Sequence, residues 1–401
     1  MKRSVFVQQN GAECDFNNSD SWVILSPIEQ SIKQKIESVG IPLKDWNIQI
    51  NYGIKTGFND AFIISTEKRD EILANCQTED ERQKTAELIR PVRRLSSFDF
   101  LTGIDDFSRM GGFRFKEDPD GEFINVSESL KIPPLTDIRE LISASAEIEK
   151  SEENNMLPDK KWIAQLVQPG TSLGGARLKA NVVDTDKTLY VAKFPSRKDD
   201  YNVGLWEHFS HLLATKAGVN VAKTKVLATG EKYHTLLSQR FDRTNDSKRI
   251  HFASAMTLLG LSDGDNATTR HGYLDIVDFI IQSCTDVERN LQELYRRGAF
   301  NICIGNTDDH FRNHGFLLTA KGWTLSPAYD MNPTLNEYQS LLISSTSNKA
   351  DLSILLDACE DYMLNRNTAE KIISEVIEAI KGWRELATRL GISKREMDMF
   401  S

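Results

Sequence analysis

Between residues 160 and 243 the apolar residues fall in short runs bounded by turn residues, and beyond 243 they recur mainly every three or four positions. The first pattern predicts strands and the second predicts helices. Strands are expected at 162–167, from 178, at Leu189-Tyr190-Val191-Ala192-Lys193 and through Leu236-Leu237. Among them Trp206, Phe209, Leu212, Leu213 and Ala217 recur at helical spacing, with Gly218 closing the helix. Further helices are predicted over 274–283, 287–304 and 368–390, with two short strands at 315–318 and 323–325. Upstream, Pro133-Pro134 precede an amphipathic helix over 137–149, with Asp137 as its N-cap and Ile138, Leu141, Ile142 and Ile148 on one face. Residues 151–155 read as a linker, and 95–130 as a β-rich connection turning at Asp118-Pro119-Asp120-Gly121. Residues 1–94 read as a small α/β module, and the sequence contains no internal repeat.

Composition narrows the class. A length of 401 residues with 40% apolar content suits two or three domains with real cores. A net charge of -9 argues against broad attraction to nucleic acid or anionic membrane. The five cysteines, Cys14, Cys76, Cys284, Cys303 and Cys359, have no paired spacing, which fits a reducing compartment and gives no zinc framework. No apolar run approaches the ~20 residues of a membrane span, and no signal-peptide core opens the chain. A cytoplasmic protein is expected.

The chemistry concentrates in Thr307-Asp308-Asp309-His310-Phe311-Arg312-Asn313, followed by Ser326-Pro327-Ala328-Tyr329-Asp330. Protein kinases space their oxygen groups in this way. One Asp orients the attacking hydroxyl, an Asn five residues on holds a Mg²⁺, and a later Asp holds the metals against the nucleotide phosphates. Asp308, Asn313 and Asp330 take those places in order, and His310 reads as a residue that shapes the loop by hydrogen-bonding backbone near Asp308. Alone, the spacing also suits a polar loop followed by an Asp turn. His310 and His314 raise the alternative of a transition-metal site, which Asn313 and Gly315 disfavour by interrupting the helix that such a pair needs.

Upstream residues supply the rest of a phosphate site. Thr171-Ser172-Leu173-Gly174-Gly175-Ala176-Arg177-Leu178-Lys179 is a small-residue loop whose glycines allow backbone N–H groups to approach an anion, although by itself it reads equally as a hairpin turn. Val191-Ala192-Lys193 resembles the strand lysine that meets nucleotide phosphates, and Glu207 on the following helix is its candidate partner. Gln239-Arg240-Phe241-Asp242-Arg243 ends an apolar strand where a hinge would meet adenine. The order of lysine strand, helix with Glu, hinge, helices, Asp308, Asn313 and Asp330 predicts an α+β, two-lobed protein-kinase-like fold, with a β-rich lobe over 95–243 and a helical lobe over 244–401.

From about Ser96 onward the chain resembles the HipA family, the serine/threonine kinase toxins of bacterial toxin–antitoxin modules. The resemblance rests on 105–115 (Asp105-Asp106-Phe107-Ser108-Arg109-Met110-Gly111-Gly112-Phe113-Arg114-Phe115), the Ser172–Lys179 loop, 239–243, 306–313 and 326–330. It implies an ATP- and Mg²⁺-dependent protein kinase with Asp308 and His310 in the catalytic loop and Asn313 and Asp330 on the metal. Nucleotide contacts would fall to Ser172, Gly174, Gly175, Lys179, Lys193, Glu207, Gln239 and Phe241. It also implies autophosphorylation on Ser172 as an off switch, a HipB-like DNA-binding antitoxin as partner, and aminoacyl-tRNA synthetases as a substrate class. A kinase-like binding module without catalysis is the alternative from another class, and the intact Asp308, Asn313, Asp330 and Lys193 count against it.

Residues 1–94 depart from that family. Trp22-Val23-Ile24-Leu25-Ser26, the stretch at 41–46, Tyr52-Gly53-Ile54-Lys55-Thr56-Gly57 through Ile64, and Ile89-Arg90-Pro91-Val92 resemble the start of a TaqI-like specificity domain of restriction–modification methyltransferases. The Asn-Pro-Pro-Tyr type of methyltransferase signature is absent from the chain, so methyl transfer is not expected. Acidic and basic residues nearly balance there, which leaves only weak or indirect DNA contact, by Lys55 or Arg93-Arg94, as an expectation.

Overall fold

A computed structural model of the chain describes residues 104–124, 132–154, 177–229, 232–244, 246–334 and 336–400. All lie within one of the two units into which the chain divides, Lys55–Ser401. The TaqI-like segment, the strand predicted at 162–167, and the loop bearing Ser172, Gly174 and Gly175 lie outside the described residues.

A four-stranded antiparallel sheet is built from β1 (Lys179–Val183), β2 (Leu189–Lys193), β3 (Thr224–Leu227) and β4 (Thr235–Gln239), in the order β1-β2-β4-β3. Side chains alternate between its faces. Ala180, Val182, Ala192 and Leu237 point to one face and are covered by α1 (Ile138–Glu153), whose Ile138, Leu141, Ile142, Ala144 and Ile148 complete a dry cluster. Lys179, Asn181 and Lys193 therefore point the other way. The register sets Lys179 directly opposite Lys193.

Helix α2 (Val203–Lys216) packs on β3 and β4. Asn202 caps it, and Gly218, at φ +76°, ends it in the left-handed conformation that glycine adopts without strain. Leu212, predicted on the buried face, is exposed, although Leu205, two turns earlier on the same side of α2, is buried. What packs beside each turn decides the difference, not the spacing.

A three-stranded antiparallel sheet, β5 (His251–Ser254), β6 (Gly315–Thr319) and β7 (Gly322–Leu325), lies among helices. These are α3 (Ala255–Leu258), α4 (Tyr273–Ser283), α5 (Val287–Ile304), α6 (Leu352–Asp357), α7 (Arg366–Ile380), α8 (Trp383–Arg389) and α9 (Lys394–Met399). A second apolar cluster joins them, with Tyr273, Ile276, Leu294, Tyr295, Phe300 and Phe316 at its centre. Among the described residues no helix is long and apolar enough to cross a membrane.

Four expectations change. The helix predicted over 368–390 is two, α7 and α8, broken at Gly382, which sits at φ +72°. Asp137 is not an N-cap: it ends a 3₁₀ turn, Leu135–Asp137, that continues into α1, and its carboxylate accepts from the Thr136 hydroxyl. The expected linker at 151–155 is largely the end of α1, where the Ser151 hydroxyl donates to the Glu147 carbonyl at 2.8 Å. The described part of 95–130 holds no regular strand, only a bridge between Lys116 and Phe123 around the Asp118–Gly121 turn, whose amide–carbonyl bond is 3.0 Å.

Candidate active site

Strand β2 carries Lys193 to the sheet face that meets α2, and α2 buries Glu207 on the same side. The Lys193 ammonium donates to Glu207 Oε1 at 2.7 Å and Oε2 at 2.9 Å, and to Asp330 Oδ1 at 2.7 Å. Burial opposes the charge on Lys193, but Asp330 and Glu207 outweigh it and push its pKa above the usual lysine range. Lys193 in turn holds the Asp330 carboxyl well below the usual carboxylate range, against the effect of burial and with help from Lys179. Asp330 follows Tyr329 in a left-handed conformation, φ +58°. A non-glycine residue there is uncommon and is tolerated best by Asp and Asn.

Lys179 stands opposite Lys193 on β1 with no hydrogen bond or ion pair from its side chain among the described residues. Burial, then repulsion from Lys193, lowers its pKa, while Asp330 and Glu207 pull it up by less. Arg177, by contrast, is engaged: its guanidinium makes a bidentate pair with Asp199 at 2.5 and 2.8 Å. Asn332, two residues beyond Asp330, donates through Nδ2 to Glu207 Oε2 at 3.3 Å, and its Oδ1 is buried without a partner.

The 306–313 loop leaves α5 at Gly305, which is left-handed at φ +66°. Two neighbouring aspartates part company here. Asp308 is exposed and its side chain has no partner among the described residues, while its carbonyl accepts from Asn313 Nδ2 at 3.1 Å. Asp309 is buried, accepting from the Tyr273 hydroxyl and bonded to His314 Nε2 at 2.9 Å. Burial would raise its pKa, but His314 and Tyr273 hold it below the usual range. Asn301 extends this network, its Nδ2 donating to the Tyr273 hydroxyl and its Oδ1 accepting from Asn306. The reading of His310 as the residue that bonds loop backbone changes, because its ring Nδ1 is buried and unpaired. The loop is braced instead by Asp309, His314 and Tyr273, and by the Thr334 hydroxyl, which accepts from the Thr307 amide at 2.9 Å.

The loop and Asp330 are tied together by Tyr329, whose hydroxyl donates to the Arg312 carbonyl at 2.6 Å. The structure thus gathers Lys179, Lys193, Glu207 and Asp330 at one place and holds Asp308 and Asn313 on the adjoining loop. Gln239 ends β4, its amide donating to the Lys223 carbonyl at 2.7 Å, and Phe241 packs 5.6 Å from the Tyr329 ring. Asp309 and Asn332 were missed in the sequence. Asp309 lies inside the motif, one residue off the five-residue spacing that singles out Asp308, and its burial has no local signal; Asn332 carries none either.

For a hard divalent cation the donor set fits. Asn313 spends its NH₂ on the Asp308 carbonyl, which leaves Oδ1 as an acceptor, and Asp330 uses only Oδ1 on Lys193. Carboxylate and carboxamide oxygens suit Mg²⁺ or Mn²⁺.

The lysine–glutamate pair, the metal-suited Asp after a strand hairpin and the Asp-x4-Asn loop are the parts of a phosphotransferase-type site. Residues 171–383 match the HipA-like C-terminal domain, and the chain belongs to that family. It is similar to the serine/threonine-protein kinase toxin HipA of Shewanella oneidensis, 27% identical over 224 residues, which is 49% of this chain and 50% of that protein. A putative kinase of Haemophilus influenzae is 24% identical over 41% of this chain and 52% of its own. The chain spans about half the length of the curated relatives it matches. Among solved structures, the Shewanella oneidensis complex of HipA, HipB and operator DNA aligns with a TM-score of 0.58 at 18% identity, over 82% of this chain and 80% of that one.

Proposed function

We propose that the chain is a HipA-type serine/threonine protein kinase that transfers the γ-phosphate of ATP to a protein hydroxyl. The observation that carries this reading is Lys193, held between Glu207 and Asp330, beside Lys179 on the neighbouring strand, whose side chain has no partner among the described residues. Two cations at one place, of which one has no carboxylate of its own among the described residues, suit a polyphosphate.

In this reading Lys179 and Lys193 bind nucleotide phosphates, Glu207 keeps Lys193 extended, and Gln239 and Phe241 border the base. Asn313 and Asp330 hold Mg²⁺, which when bound neutralises charge on the phosphates. Asp308 accepts a hydrogen bond from the acceptor hydroxyl and orients its oxygen toward the γ-phosphorus. As the new O–P bond forms and the bond to the β,γ-bridging oxygen breaks, Asp308 takes the hydroxyl proton and ADP leaves. The buried Asp309–His314–Tyr273 network keeps the loop in place during transfer.

Ser172, Gly174 and Gly175 form the phosphate loop, with Ser172 as the autophosphorylation site. A phosphoserine adds about -1.5 to -2 charges where ATP must place its own phosphates, which disfavours nucleotide binding and makes self-modification an off switch. Of the two cations that follow the loop in sequence, Arg177 is engaged by Asp199, and Lys179 has no side-chain partner among the described residues. A HipB-like antitoxin is the proposed partner, because the aligned solved structure pairs HipA with HipB on DNA. The proposed setting is cytoplasmic and the proposed substrate class is aminoacyl-tRNA synthetases, both following from the family.

The test needs no outside substrate. The purified full chain is incubated with ATP and Mg²⁺, and ADP formation and protein-bound phosphate are measured. ADP release with phosphate on Ser172 is expected, and zinc does not replace Mg²⁺. A chain that binds no ATP and releases no ADP overturns the kinase reading in favour of a silent binding module. Turnover with phosphate elsewhere, or full ATP affinity after Ser172 is modified, overturns the switch alone.

A further inference from the structure

The segment 104–115 precedes the span matched to the family, yet it is tied to the exit of β4 by a buried ionic clasp. Asp242 is fully buried. Its carboxylate accepts from the Gly111 amide at 2.8 Å, from Arg240 Nε and Nη2 at 2.9 and 2.7 Å, and from Arg243 Nη1 at 2.5 Å. Burial works against the charged form of Asp242, but Arg240, Arg243 and the Gly111 amide hold its pKa below the usual carboxylate range.

The same arginines reach on to the backbone of the segment. Arg240 donates to the Ser108 carbonyl at 2.7 Å, and also to Asn181 Oδ1 on β1 at 2.8 Å. Arg243 donates to the Phe107 and Arg109 carbonyls at 3.0 and 2.9 Å. Arg249 donates to the carbonyls of Asp106, Arg109 and Gly111, and Asp106 pairs with both Arg249 and Arg114. Gly111 sits at φ +75°, where a Cβ would come 3.0 Å from the Phe252 amide, so the turn requires glycine.

Burying this many charges is a weak way to gain stability, since apolar side chains of similar volume commonly do as well. Its location suggests another use. Phe241 lies between Arg240 and Asp242, so both of its chain neighbours are locked. Its ring meets Tyr329 at 5.6 Å and Phe252 at 5.7 Å, and Phe252 meets Tyr329 at 6.2 Å. Tyr329 is the residue before Asp330 and donates to the Arg312 carbonyl of the catalytic loop.

We infer that the 104–115 segment and its arginine clasp act as a positioning device for nucleotide binding, with Asp242 and Arg243 as positioning residues that set Phe241 and, through Tyr329, its spacing from Asp330. The inference rests on the kinase reading above. Loosening the clasp leaves Asp308 and the Lys193 pair in place, so the effect falls on ATP affinity rather than on transfer from bound ATP.

The experiment compares the full-length parent with Arg243→Lys and Asp242→Asn. ATP dissociation constants in Mg²⁺ are measured by calorimetry, KM and kcat for ATP turnover by ADP release, and folding by thermal melting. Arg243→Lys keeps the charge but not the forked contacts. It is expected to raise KM and Kd about tenfold with kcat within about threefold, and Asp242→Asn to raise them further. Folded variants that bind ATP as the parent does overturn the positioning role, as does a fall in kcat without a change in KM. Loss of cooperative melting in both variants marks the clasp as a folding element only and also overturns it. A parent that binds no ATP overturns the kinase reading and this inference with it.

Discussion

Two charge networks lie along neighbouring strands, one closed around the buried Asp242 and one around the partly exposed Lys193 and Asp330, and they are finished differently. In the clasp at the end of β4, Asp242 is surrounded by donors from Arg240, Arg243 and Gly111, and the arginines also donate to backbone carbonyls of the 104–115 segment and to Asn181. Around Lys193 the ion pairs are as short, but Lys179 has no partner among the described residues, and Asn332 Oδ1 and His310 Nδ1 are buried unpaired. Native structures rarely leave buried polar groups unspent. A network that holds neighbouring segments in place closes on itself, whereas one that must receive a charged ligand keeps part of its capacity in reserve.

Substitutions around Lys193 test this difference directly. Lys193→Met strands the buried Glu207 without its cation, and losing one partner of a buried pair costs about 3–5 kcal/mol. Urea unfolding should show that loss together with the loss of ATP binding. A variant as stable as the parent would mean that the Lys193–Glu207 ion pair contributes nothing to the stability of the fold. Asp308→Ala is expected to lower phosphoryl transfer by at least about a hundredfold, in the range that a positioned acid–base group supplies, with no change in melting, because its exposed side chain bonds to nothing described. Parent-like turnover in this variant would remove the catalytic loop from the site.

Lys179→Met separates function from stability in the opposite direction from Lys193→Met. The substitution removes a cation that has no partner among the described residues and faces a like charge across the strands, an arrangement that costs roughly 0.2–1 kcal/mol. Stability should hold or rise slightly while ATP affinity falls about tenfold or more. Equal ATP affinity in calorimetry would show Lys179 to be a bystander.

The smallest effect is a pH dependence. Lys179 has a folded pKa below its ordinary 10.5. Between the two values the native state binds fewer protons than the unfolded chain, so stability climbs as pH rises through the folded value and levels off near 10.5. Lys193 has the opposite shift, so its contribution is intact throughout that window and fades only above it. Tyrosines and cysteines whose pKa values are raised by burial lose stability over the same range. The Lys179 contribution is therefore the difference in stability between the parent and Lys179→Met, which should climb with pH across this window. A flat difference would show that Lys179 does not titrate there.

Local pattern made much of the scaffold readable. The periodicity over 287–304 coincides with α5, and the apolar run at 189–193 with β2. Gly218 ends α2 as its position implied, because a left-handed residue after a helix favours glycine. Pattern failed where the rest of the fold decides. Leu212 looks apolar enough to be buried, but whether each turn of α2 is covered depends on what packs beside it. The 368–390 periodicity continues through Gly382, and only its left-handed backbone reveals the break between α7 and α8.

At the site, sequence alone determined the chemical parts: a strand lysine, a helix glutamate, the spacing from Asp308 to Asn313, and an Asp after a hairpin. These are facts of residue type and near-neighbour spacing, which the chain carries locally. Only tertiary structure decided which charges meet. It joined Lys193 to Asp330 across 137 residues and Gly111 to Asp242 across 131. It also buried Asp309 under Tyr273 and His314 while leaving its neighbour Asp308 exposed. Burial and ion pairing depend on packing between distant segments, and nothing in the spacing of adjacent aspartates records it.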